Sequence, residues 1–299
     1  MEYELLGIGA TSIVSGAEDE TVLKGWQVWK GDRRCAYRES EDGSERLFAR
    51  EDSTYRVLGE HPHILRCLGL VEVHENVRSL RLERAPHGNV REFIGNNKST
   101  SPSEADRMKM ALGVASGMAH SHAKKIIHCD MSCRNLFLFP GYLVKIGDFG
   151  SAMVNGDICE GAFCEESRYE LPRRGREFDN RPYLKRELFA LGSAIYEILA
   201  WGRPFDGLDD DEVERKFAAE EFPDSSHLAA RDIIQDCWNE KFESAKDVED
   251  ALVRLRDQQD GEAALKKETL ASEHPLTSQL PTTTKVPAAT ITKAGATQV

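Results

Sequence analysis

The stretch IIHCDMSCRNLFL, residues 126–138, sets three polar groups in the pattern His128-x-Asp130-x-x-x-x-Asn135 ahead of an apolar run. Thirteen residues past Asn135 comes Asp148-Phe149-Gly150, with the strand-like VKIG leading into it. That order and spacing is nearly the catalytic loop and metal motif of a phosphoryl-transfer enzyme, H-R-D-x-x-x-x-N followed by D-F-G, and two such motifs rarely coincide by chance. Two residues depart from it: Cys129 stands where an arginine is expected, and Ser132 where a lysine is common.

Upstream, Gly7-Ile-Gly9-Ala-Thr-Ser12-Ile-Val14 carries glycines that let the backbone come close to phosphates, with Ser12 narrowing the clearance a third glycine would leave. A short strand ends in Lys24, and Glu51 begins an E-x-x-x-Y-x-x-L helix where an ion-pair partner for a buried lysine would lie. Lys30, in QVWK, competes for the same role; Lys24 is preferred because a tight hairpin joins it to the Gly-rich strand.

These groups need elements to hold them. YELLGIGATSIVSGAEDETVLKG reads as three short antiparallel strands, and the polar segment from Arg33 to Glu45 as an irregular insertion. Helical spacing appears in RLFAREDSTYRVLG, then two strands in HILRCLGLVEV and SLRLERA. After PHGN the chain turns mostly helical. EADRMKMALGVASGMAHSHAKK carries an apolar stripe, and ELFALGSAIYEILAW is apolar nearly all round, as a buried central helix should be. DDDEVERKFAAEEF, AARDIIQDCWNE and AKDVEDALVRLRD read as further helices, whereas residues 261–299 read as a disordered Thr/Ser/Pro-rich tail.

A net charge of −12 supplies no global basic field for nucleic acid. No run approaches the roughly 20 apolar residues of a membrane span, and the amino terminus lacks the basic and apolar regions of a signal peptide. The 7 cysteines follow no zinc spacing and read as reduced thiols. A cytoplasmic protein is expected, with a nuclear location left open.

Over residues 1–257 the chain resembles the eukaryotic protein kinase family, nearest a fungal, tyrosine-kinase-like branch. The resemblance extends to SLRLERAPHGNVREFI, similar to a hinge with Leu82 as gatekeeper and Glu83 to Ala85 facing the adenine, and to ALGSAIYEILAWGRPF and DCWNE. It implies an α+β, bilobal fold: a small antiparallel β-rich lobe with one main helix over about 1–84, and a larger, mainly helical lobe over about 88–257. It implies Mg·ATP and a protein substrate. Gly7, Gly9, Ser12, Val14, Glu83 and Ala85 would enclose the nucleotide, and Lys24, held by Glu51, would bind its phosphates. Asp148 and Asn135 would hold Mg²⁺, Asp130 would orient the acceptor hydroxyl and take its proton, and Arg134 would replace the charge missing at Ser132.

Further departures concern the activation segment. Its A-P-E anchor is replaced by Leu171-Pro172-Arg173, and the usual arginine partner by Ala245, so that both ends of an ion pair are missing together. Glu187 takes the place of a central-helix aspartate. With no arginine at Cys129 to read phosphate, and with Glu165 and Glu166 already in the segment, basal activity is expected not to depend on phosphorylation of Ser167 or Tyr169. An active protein kinase for Ser/Thr or Tyr is the leading expectation; a pseudokinase scaffold and a small-molecule kinase are the alternatives.

Overall fold

Aliphatic and β-branched residues separated by glycine-rich and acidic turns pair side by side at the start of the chain. The computed structural model describes residues 4–9, 12–17, 20–37, 44–157 and 165–273. Strands β1 (Leu5–Ile8), β2 (Ile13–Gly16) and β3 (Thr21–Gly25) are antiparallel neighbours, followed by β4 (Gln27–Lys30), β5 (Arg33–Tyr37) and helix α1 (Ser44–Leu58). Then β6 (Cys67–His74) and β7 (Val77–Glu83) complete a five-stranded sheet in the order β1-β2-β3-β7-β6.

The expectation of an irregular insertion from Arg33 to Glu45 is corrected. Arg33–Tyr37 is a strand paired with β4, and α1 begins at Ser44, with residues 38–43 outside the described set. Arg33 and Arg34 hide the alternation that marks a strand. The hairpin is held instead by ring contacts: Trp29 stacks on His74 at 3.6 Å, and the Arg34 guanidinium lies 4.5 Å from the Tyr37 ring.

The second part of the fold opens with α2 (Val90–Asn96) and α3 (Glu104–Ala123). Asn89 and Ser103 cap them, their side chains accepting from the amides of Glu92 and Asp106. Short strands β8 (Ile126–Ile127), β9 (Leu136–Phe139), β10 (Leu143–Ile146) and β11 (Met153–Val154) carry the polar motifs between them. Helices α4 (Tyr183–Ala200), α5 (Asp210–Ala218), α6 (Arg231–Trp238) and α7 (Ala245–Glu273) follow. Every residue of α4 from Arg186 to Leu199 is buried, which explains its mostly apolar character. Gly192 lets α6 approach, since a Cβ there would lie 2.5 Å from Cys237 Cβ, and the buried Trp238 indole donates to Ser193 Oγ at 3.0 Å. The result is the α+β, two-lobed arrangement, a sheet-rich lobe with one main helix ahead of a helical one.

The chain divides into two compact units, residues 1–257 and 258–299. Helix α7 runs on to Glu273, so the expected disordered tail is corrected over residues 261–273. The segment GEAALKKETLAS is rich in strong helix formers, which sustain a helix without an apolar stripe. The rest of the expected tail, residues 274–299, lies outside the described residues.

Candidate active site

Strand register delivers the first group. Gly7 pairs with Val14, and Val14 with Lys24, so the Gly-rich turn and the lysine share one row across the sheet. Gly9 closes the turn by donating its amide to Ser12 O at 2.8 Å. Lys24 is 7% exposed, and its ammonium reaches Glu51 Oε2 at 2.8 Å and Asp148 Oδ1 at 2.6 Å. Lys30 instead ends β4 at the surface. Burial opposes the Lys24 charge, but the Asp148 and Glu51 carboxylates outweigh it and raise its pKa. Glu51, 1% exposed, shows the reverse balance: burial raises its pKa despite Lys24. Asp148 is pushed up by burial and down by Lys24, and the lysine prevails.

Glu83 lies opposite Thr21 in the sheet, and its carboxylate accepts from Lys145 at 2.7 and 2.9 Å and from the Arg66 amide at 2.6 Å. The Glu83 side chain is thus committed within the protein, and that of Arg84 to Glu4. Ala85 O already accepts from the Gly88 amide at 3.2 Å.

The catalytic loop is held from beneath. Glu187 accepts from the amides of His128 at 2.7 Å and Cys129 at 3.1 Å, so the longer acidic side chain does reach the loop. These bonds pin Cys129 in a left-handed conformation, φ 67°, that costs a non-glycine residue about 1–3 kcal/mol. His128 is a packing residue. Its Nε2 donates to Gly147 O at 2.9 Å, its Nδ1 accepts from the Asp130 amide at 3.3 Å, and its ring lies 4.8 Å from Phe149. Asn135 Nδ2 donates to Asp130 O at 2.7 Å and Oδ2 at 3.0 Å, which leaves its own Oδ1 available. Asp130 Oδ1 is buried without a hydrogen-bond partner among the described residues. Burial pushes the Asp130 pKa up to about 6, against the pull of His128 and Asn135.

Arg134 is the predicted site residue that does not join this cluster. It is 54% exposed, and its Nε lies 2.8 Å from Glu166 Oε1 in the activation segment. Glu166 also accepts from Arg91 Nη1 at 2.8 Å, while Arg91 pairs with the fully buried Glu197. Tyr169, fully buried, donates to Glu197 at 2.6 Å and accepts from the Cys133 amide at 3.3 Å. Sequence reasoning missed this network because its members lie far apart in the chain and Glu197 sits in an apolar helix.

Beside Cys129, Glu165 makes two bonds to Arg186, at 2.7 and 2.6 Å, with both side chains almost wholly buried. Arg168, Arg173 and Arg174, the arginines next to these glutamates along the chain, are otherwise placed: Arg168 pairs with Asp210, and Arg173 is exposed. In place of a pair between positions 173 and 245, other residues tie the segment to the helices beyond it. Arg174 meets Glu240 at 2.6 Å and Glu220 at 2.6 Å, and Arg176 meets Glu240 at 2.7 Å, an anchor of inverted polarity. An arginine directly preceding Glu187 was the signal available for Arg186.

A two-lobed fold with a buried lysine–carboxylate cluster facing an Asp/Asn loop defines a kinase-like phosphotransferase. The family described as protein tyrosine and serine/threonine kinase matches residues 34–255, and the chain belongs to it. The family match begins after Lys24 and the Gly-rich turn, and the three-dimensional arrangement joins these to the rest. The chain is 26% identical to human tyrosine-protein kinase FRK over 233 residues, 72% of this chain and 44% of that protein. It is 30% identical to Arabidopsis thaliana mitogen-activated protein kinase kinase kinase 20 over 205 residues, 66% of this chain and 58% of that protein. With the Drosophila melanogaster tyrosine-protein kinase transmembrane receptor Ror it shares 25% identity over 214 residues, 68% of this chain and 31% of that protein. It therefore spans between 31% and 58% of the length of these relatives. Among the described residues no helix is long and apolar enough to cross a membrane.

Proposed function

We propose that the chain transfers the γ-phosphoryl group of Mg·ATP to a hydroxyl of a protein substrate, Ser/Thr or Tyr. The observation that carries this reading is Lys24, buried and bonded at once to Glu51 of α1 and to Asp148 of the Asp-Phe-Gly motif. Gly7, Gly9, Ser12 and Val14 cover the nucleotide, and the main chain of Glu83 to Ala85 faces its base. Lys24, oriented by Glu51, turns to the phosphates.

Asp148 and Asn135 Oδ1 hold Mg²⁺, which when bound neutralises charge on the β- and γ-phosphates. Among the described residues no group of three or more His, Cys, Asp or Glu is arranged to hold a metal by itself. That fits an ion that takes one or two protein oxygens and shares the rest with phosphate. Asp130 orients the acceptor hydroxyl and takes its proton. A pKa of about 6 leaves it ionised at neutral pH and still basic enough for the task. Arg134 acts electrostatically, favouring the Asp130 carboxylate, while Glu166 holds its guanidinium at the edge of the site. Free thiols at Cys35, Cys67, Cys129, Cys133 and Cys237 suit a reducing, cytoplasmic setting, and a net charge of −12 disfavours nucleic acid as partner.

The test is incubation of the full chain with Mg·ATP and a degenerate peptide library. Transfer should vanish in Asp130→Ala and Lys24→Met and persist in Lys30→Met. Transfer surviving in Asp130→Ala, or lost in Lys30→Met alone, refutes these assignments.

A further inference from the structure

Two buried oxygens beside the lysine cluster have no hydrogen-bond partner among the described residues: Glu51 Oε1 and Tyr55 Oη. A buried polar group left unpaired is destabilising, so a pair of them on one helix face needs a reason. Tyr55 follows Glu51 by one turn of α1 and is 5% exposed. Its ring meets Phe149 edge-on, with centroids 5.2 Å apart and planes at 77°. The hydroxyl is close enough to the Glu51 carboxylate and to the Asp148 backbone for both to act on it, in opposite senses. Packing against Phe149 requires only the ring. A phenylalanine or methionine would fill the space without burying a hydroxyl.

Asp148 itself is under strain. It sits at φ 59° and ψ 64°, a left-handed conformation that is unfavourable away from glycine and persists only where surroundings hold it. Lys24 now ties Asp148 to Glu51. Once Lys24 turns to phosphate, that tie weakens, and the phenol is the group positioned to replace it.

We propose that Tyr55 is a positioning residue for the metal-binding aspartate: its hydroxyl accepts from Asp148 N–H and donates to Glu51 Oε1 in the nucleotide-bound state, holding Asp148 in its left-handed conformation. The two orphan oxygens and the amide then satisfy one another. This rests on the Mg·ATP reading above.

The experiment compares the full-length wild type with Tyr55→Phe, which keeps the ring. Binding of a fluorescent ATP analogue is titrated with Mg²⁺ and repeated in EDTA, alongside thermal melts. The Mg²⁺ concentration at half-saturation should rise about fivefold, the worth of one hydrogen bond. Affinity in EDTA should stay within about twofold, and thermal stability should not fall. Unchanged Mg²⁺ dependence in Tyr55→Phe overturns the proposal and leaves the kinase reading intact. Equal weakening with and without Mg²⁺, or a matching loss of stability, overturns it too, because a merely structural phenol would behave that way. A wild type with no Mg²⁺-dependent nucleotide binding removes both readings together.

Discussion

Replacing Glu165 by alanine leaves the Arg186 guanidinium buried, 2% exposed, without either of its carboxylate bonds. The Phe178 ring lies 5.4 Å from that cation. Breaking one side of a buried pair costs about 3–5 kcal/mol, a large share of the roughly 5–15 kcal/mol by which a domain is stable. Arg186→Ala should cost a similar amount, since Glu165 is itself only 4% exposed. The double variant Glu165→Met/Arg186→Met removes both charges at comparable volume, so its cost should fall well short of the sum. Chemical denaturation of the full chain, read as a double-mutant cycle, should give a coupling of at least about 2 kcal/mol. Glu165 also fixes the segment bearing Glu166, beside Arg134, so the single variant should lose phosphotransfer as well. Costs below about 1 kcal/mol for each single variant, or additive costs, would show that the pair is not what ties the segment down.

Because the segment's own carboxylates, Glu166 and Glu165, occupy Arg91 of α2 and Arg186 of α4, and Tyr169 is fully buried, phosphatase treatment and Ser167→Ala should each leave initial rates within about twofold; a loss of tenfold, about 1.4 kcal/mol in the barrier, contradicts this. The rate should fall as pH drops through about 6, where Asp130 takes up the proton that disables it as a base, and a profile flat to pH 5 would assign the base elsewhere. Glu240→Ala should cost about 1–3 kcal/mol in denaturation, since it strips a shared carboxylate from Arg174 and Arg176, both partly buried; a change too small to measure would mean the inverted anchor contributes nothing. Gly192→Ala should cost about 1–3 kcal/mol through overpacking, because its Cβ would meet Cys237 Cβ at 2.5 Å, and a stable variant would show that α4 and α6 can move apart.

Much of this protein is written locally. His128, Asp130, Asn135 and Asp148 are close in sequence, and the loop and strands between them fix their spacing. The mostly apolar run of α4, the Asn89 and Ser103 caps and the short alternating strands likewise depend on neighbours within a turn or two. The β5 strand escaped notice because ring stacking and cation–π contacts hold it where an apolar face would be expected. Which lysine meets Glu51 could be favoured from the hairpin but was decided by register, which sets Lys24 opposite Val14 and Leu80. The charge network required the whole fold. Glu165 meets Arg186 across 21 positions, Arg91 meets Glu197 across 106, and Lys24 meets Asp148 across 124. Sequence supplies such charges without their partners, because a side chain's electrostatic energy depends on distance and burial. Both exist only after the chain has folded.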